Sequence, residues 1–93
     1  MLRARWNGVV VAESARTVIV EGNHYFPPEA IRDEFFQASA TQTVCSWKGT
    51  ARYYHLHVGG EVNLDAAWYY AAPLAAAANI AGYVAFWRGV HIE

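Results

Sequence analysis

Residues 50–70 read Thr50-Ala51-Arg52-Tyr53-Tyr54-His55-Leu56-His57-Val58-Gly59-Gly60-Glu61-Val62-Asn63-Leu64-Asp65-Ala66-Ala67-Trp68-Tyr69-Tyr70. Aromatic and β-branched residues on either side of a Gly-Gly pair predict a β-hairpin with a tight turn. Along the first arm, Ala51, Tyr53, His55 and His57 share one face of the strand. Arg52, Tyr54, Leu56 and Val58 share the other. The second arm, Glu61 to Tyr70, returns as the partner, with Asp65 as a bulge interrupting its alternation.

The same punctuation runs outward from this hairpin. Asn7-Gly8 separates Leu2–Trp6 from Val9–Ala12, the short-range pattern of two strands joined by a type I′ turn. Arg16 to Val20 predicts a third strand and Glu21-Gly22-Asn23 a turn. Pro27-Pro28, followed by Glu29, Asp33 and Glu34, predicts one short helix over 28–36, since proline suits a first helical turn and acids suit its positive end. Residues 37–42 are small and polar and predict a loop. Thr43–Cys45 predicts a short strand before a Trp47-Lys48-Gly49 turn. Pro73 stops any helix entering from upstream, so the alanine-rich stretch after it predicts one helical turn, ended before Gly82. Tyr83–Trp87 and Val90–Ile92 are the last strands. The expectation is a mainly β fold: a small two-sheet antiparallel roll or sandwich with one short helix.

At 93 residues the chain predicts a single domain, 1–93, with one modest core. Hydrophobic residues make up 55% of it, and four Trp, six Tyr and four Phe exceed what so small an interior hides. Some aromatic surface is therefore expected in a pocket or at an interface. The net charge is −1, with seven basic and eight acidic residues dispersed. Without a basic run, nucleic-acid binding is not expected. One cysteine forms no internal disulfide, and the first residues lack the apolar core of a signal peptide; the expected location is the cytoplasm. Pro73 and Gly82 punctuate the long uncharged run 66–87, so no membrane span is expected.

Several pieces together resemble a known family. They are Val11-Ala12-Glu13-Ser14, Val20-Glu21-Gly22, Tyr25-Phe26-Pro27, Cys45-Ser46-Trp47-Lys48-Gly49-Thr50-Ala51, Tyr53-Tyr54, Ala66-Ala67-Trp68-Tyr69-Tyr70 with Pro73, and Gly82-Tyr83-Val84-Ala85-Phe86. In this order they resemble the domain-of-unknown-function 427 family. The resemblance implies a compact fold of two antiparallel sheets, and it carries a nucleotidyltransferase-like label. The chain departs from the pattern at Tyr70-Ala71-Ala72-Pro73, where a second proline is expected. It also lacks the Gly-Ser motif with paired aspartates that metal-assisted nucleotidyl transfer uses.

The candidate site centres on Lys48, the sole lysine, set beside Trp47 and a Gly turn. It suits a carboxylate or phosphate ligand or, with a depressed pKa, a nucleophile or base. Glu21 is the best-placed acid/base carboxylate, ahead of Glu13 and Asp65, and Cys45 is the remaining catalytic candidate. Tyr25, Trp47, Tyr53, Trp68 and Tyr70 are the candidate ligand-binding walls, suited to a flat ring or a cation. His55 and His57 sit two apart on one strand face, but nothing in the sequence supplies a third ligand, so no metal is expected. No cofactor is indicated. The leading reading is a small polar or anionic/aromatic ligand in an aromatic-lined pocket around Lys48. The alternative is a structural or interaction module whose exposed aromatics form a homodimer or partner contact.

Overall fold

A computed structural model describes residues 1–93. Nine strands run in chain order: β1 (Leu2–Trp6), β2 (Val9–Ser14), β3 (Val18–Val20), β4 (Asn23–Tyr25), β5 (Phe36–Cys45), β6 (Gly49–Val58), β7 (Glu61–Tyr69), β8 (Val84–Phe86) and β9 (His91–Ile92). All strand pairs are antiparallel. They form three sheets, ordered β2-β1-β9, β3-β4 and β5-β6-β7-β8. The mainly β antiparallel expectation holds. The third sheet arises because the β3–β4 hairpin stands apart, tied to β8 through a two-way backbone bridge between Phe26 and Val84 (2.8 Å each way).

The predicted turns are where the sequence put them. Asn7 and Gly8 both adopt positive φ (49° and 78°), the type I′ geometry that matches the twist of β1 and β2. Asp65 takes φ 51°, and three β7 residues (64–66) face one residue of β6 between the pairs Tyr54–Ala67 and Leu56–Asn63. The bulge is held from the side. The Asp65 carboxylate accepts hydrogen bonds from the Ser39 (2.6 Å) and Thr41 (2.9 Å) hydroxyls, and its backbone N–H donates to His55 Nδ1 (3.0 Å).

The four-stranded sheet is covered on both faces, and its alternation sorts side chains between two cores. Toward β1, β2 and β9 it sends Leu56, Val58, Ala66, Ala67, Val84 and Phe86, which pack with Ala4, Val11, Ala12 and Phe26. The Phe86 ring meets Phe26 (5.6 Å) and Phe36 (6.0 Å) edge-on. The opposite face contributes Ala51, Tyr70 and Ala85, which pack with Tyr25, Ala77 and Ile80. Tyr53 and Trp68 lie half-buried at the margin of this second, smaller core.

Two expectations need correction. The helix over 28–36 is two short 3₁₀ turns, Pro28–Ala30 and Asp33–Phe35. Between them Ile31 is extended (φ −81°, ψ 146°) and bridges to Ala12, while Arg32 N–H donates to Val11 O. That stretch seals the edge of β2, and a continuous helix would withdraw both contacts. The expected loop at 37–42 is instead part of β5, whose alternation is absent because most of its side chains face solvent. The alanine-rich stretch after Pro73 forms a 3₁₀ segment, Ala75–Ile80, ending before Gly82 as expected. None of these helices is long and apolar enough to cross a membrane.

Gly49 opens β6 with φ 110°, and a Cβ there would lie 3.4 Å from Leu74 N and 3.6 Å from Pro73 Cα. The neighbouring Lys48 O accepts from Leu74 N–H (2.9 Å), which clamps the 46–48 turn against the Pro73 segment. Gly49→Ala combines an unfavourable φ with a backbone clash and is expected to destabilise by about 1–3 kcal/mol. Urea denaturation read by tryptophan fluorescence measures the loss.

Candidate functional site

The 46–48 turn carries Trp47 outward and Lys48 inward. Lys48 is the one charged residue the fold buries, with 7% of its surface exposed. Its Nζ lies 5.4 Å from the Trp47 ring centroid and 5.5 Å from that of Tyr70, within cation–π range of both. A buried ammonium requires a counter-charge, and Glu21 supplies it through a direct hydrogen bond from Lys48 Nζ to Glu21 Oε1. Glu21 reaches across from the tip of the β3–β4 hairpin, where it and Gly22 both take positive φ (53° and 79°). The Glu21 side chain remains half-exposed, at 52%.

This pairing fixes the ionisation of both groups. The hydrogen bond from Lys48 holds the Glu21 carboxyl below its ordinary 4.5, against a smaller opposing effect of desolvation. Burial acts against the Lys48 ammonium. The hydrogen bond to Glu21, with the phenol groups of Tyr25 and Tyr70, outweighs it and holds Lys48 above its ordinary 10.5. The direction is opposite to the one a lysine nucleophile or base needs near neutral pH. Lys48 stands as a fixed cation and hydrogen-bond donor. Burial raises the Tyr70 phenol, against the pull of Lys48.

Beside the ammonium lies a cleft of about 140 Å³ lined by Lys48, Tyr53, Trp68, Tyr70 and Trp87. Three expected walls, Tyr53, Trp68 and Tyr70, thus face one space. Tyr25 does not line it. That ring is fully buried behind Trp68, meets it edge-on at 6.2 Å, and accepts a hydrogen bond from its Nε1 (3.1 Å). Trp47 covers another side of the ammonium, outside the cleft. Cys45 is half-buried against the second core and does not reach the cleft either.

Trp87 is the residue that the sequence reading passed over. Its ring stands edge-on to Trp68 (5.7 Å, 77°) and 6.5 Å from Tyr53, and its Nε1 donates to Asp65 O. The Arg88 guanidinium covers its face at 4.5 Å. The signal was present: 83, 85 and 87 share a strand face, and Ala85 belongs to the core beneath the cleft.

The other candidates serve the frame. Glu13 is paired with Arg3 (2.6 Å). Asp65 is held below its ordinary 3.8, first by the Ser39 hydrogen bond, and anchors the bulge. His55 accepts from the Asp65 N–H while His57 is exposed. No three His, Cys, Asp or Glu side chains converge in a metal-binding group.

Fold and cleft together define a small antiparallel β protein whose one lysine is buried and paired beside an aromatic cleft. A family model matches residues 1–93, and the chain belongs to that family, described as Domain of unknown function (DUF427). A comparison with curated proteins finds no match.

The ion pair has a definite pH signature. Glu21 has a lowered folded pKa, so its contribution is present above about 4.5 and is lost as pH falls through the lowered value. Lys48 has a raised one, so its contribution is present below about 10.5 and is lost as pH rises through the raised value. The stability difference between wild type and Glu21→Gln is therefore expected to be flat between these limits and to shrink outside them. Urea titrations of both proteins across pH check this; a difference that varies through neutral pH contradicts the pairing.

Proposed function

We propose that the cleft beside Lys48 binds one small planar ring carrying an acceptor oxygen, as a carboxylate or carbonyl. The supporting observation is the buried, charged Lys48 opening onto aromatic walls. Of its three donors one serves Glu21, and a ligand oxygen would take another. The aromatic rings offer faces and edges to a flat group. A volume of about 140 Å³ matches a benzene-sized ring, since cavities of roughly 150 Å³ hold benzene. It lies below the roughly 300–1,000 Å³ of sites that enclose larger ligands. A whole nucleotide does not fit inside it, and no carboxylate lines it, so the nucleotidyltransferase-like label plays no part in this reading. We place the function in one domain, and the free Cys45 suits a reducing cytoplasm.

Thermal unfolding with a panel of aromatic carboxylates, heterocycles and nucleotides tests the proposal on wild type and Lys48→Met, which keeps the apolar stem. A binder at about one hundred times its Kd stabilises by roughly 2.7 kcal/mol, a shift of several degrees for this size. The expected result is a shift with ring acids in wild type that Lys48→Met loses. Equal shifts in both proteins would rule out Lys48 as the recognising group.

The alternative, a homodimer, is favoured by one observation. β5 is a ten-residue strand at the edge of the four-stranded sheet, with no charge, proline or glycine, and its Val44 is 82% exposed. Such an edge is a template for pairing with a second copy. If it is used, sedimentation velocity will show a concentration-dependent dimer that Val44→Lys abolishes; a monomer at every concentration removes this reading.

A further inference from the structure

The largest cavity of the molecule lies away from Lys48. It measures about 730 Å³, within the roughly 300–1,000 Å³ of small-molecule sites. It opens between the start of β1, the 14–17 turn, the β3–β4 hairpin and Tyr83.

Some of its polar groups hold the lining in place and others are free. Ser14 Oγ donates to Arg16 O (2.6 Å) and accepts from Arg16 N–H (3.1 Å), so the backbone beneath Arg16 is set in advance. The Arg16 guanidinium has no partner in the protein. Arg3 and Arg5 are paired with Glu13 and Glu93, while Arg32 and Arg52 are unpaired like Arg16 but lie outside the cleft. Thr17 Oγ1 and His24 Nδ1 are hydrogen-bonded at 2.7 Å, which orients the imidazole and leaves its Nε2 free. The Tyr83 hydroxyl also has no protein partner. Leu2 and Val18 supply apolar wall. Glu29 is the one acidic residue of the lining and forms no ion pair, so with Arg16 the formal charge of the lining is zero before His24 is counted. Arg16 is the one fixed cation of the lining, and a single negative charge matches it better than the two of a phosphate monoester.

We infer that this cleft is a second ligand site, for a small organic monocarboxylate with an apolar body. Arg16 receives the carboxylate through its planar fork. His24 and Tyr83 offer further hydrogen bonds, and the body lies on Leu2 and Val18. The site shares no lining residue with the Lys48 cleft, although both adjoin the β3–β4 hairpin, and it does not rest on the function proposed for that cleft.

Amide ¹H–¹⁵N NMR titration separates the two. The probes are sodium benzoate, its uncharged analogue benzamide, and inorganic phosphate, added to wild type, Arg16→Gln and Lys48→Met. Arg16 is exposed, so its substitution leaves the fold intact. Benzoate is expected to give saturable shifts clustered at residues 14–18, His24 and Tyr83, with affinity about tenfold weaker or worse in Arg16→Gln. Lys48→Met should leave those shifts in place. The inference is overturned if benzoate gives no saturable shift there, if benzamide or phosphate binds as well as benzoate, or if Arg16→Gln changes nothing.

Discussion

The structure depends on one constraint: a four-stranded sheet whose β6, β7 and β8 strands send side chains into a core on each face, in a chain barely long enough to cover both. Successive residues of β7 and β8 serve different cores. Ala67 and Tyr69 turn toward the β1-β2-β9 sheet, and Trp68 and Tyr70 turn the other way; Val84 and Phe86 oppose Ala85 in the same manner. A one-residue slip would exchange both sets at once, so the register is specified from two sides. The Asp65 bulge lets this arrangement coexist with a long hairpin. It places Ala66 and Ala67 in one core, and it turns β7 so that Asp65 O meets the Trp87 indole.

The two faces are not covered equally. The first core is roofed by a complete sheet. The second is closed by the β3–β4 hairpin and the alanine-rich 3₁₀ segment, whose side chains are small. Ala51, Ala77 and Ala85 fill little volume, so the large rings of Tyr53, Trp68 and Trp87 stand over a gap they do not fill. The cleft is thus a consequence of thin cover on one face. Lys48 lies at its edge because the 46–48 turn is clamped to the Pro73 segment that forms part of that cover.

How much of this was legible in the sequence follows from the range of each interaction. Asn7-Gly8, Gly59-Gly60 and Asp65 act through local backbone preference and could be read directly. The 28–36 stretch could not, because its acids and proline favour helix locally while a bridge from Ile31 to Ala12, nineteen positions away, decides the outcome. β5 was obscured for the opposite reason: an edge strand facing solvent carries no alternation to read. Tyr53, Trp68 and Tyr70 were identifiable as aromatics at strand spacing. Strand spacing puts Trp87 on the face of Ala85, but spacing alone does not show that Trp87, rather than Tyr25, completes the wall. That depends on how β8 stacks against β7 and on Tyr25 being needed beneath Trp68 to satisfy its N–H.

The Lys48–Glu21 pair shows the same lesson in its electrostatics. Its partners are twenty-seven residues apart, and neither sequence neighbourhood predicts the other. A lone lysine beside tryptophan and glycine invites a depressed pKa through burial, and burial does act on Lys48 in that sense. The hairpin tip reverses the result by delivering a carboxylate to the ammonium. Because that carboxylate is half-exposed and the ammonium is not, the pair is asymmetric: Glu21 keeps much of its hydration, while Lys48 depends on it for compensation.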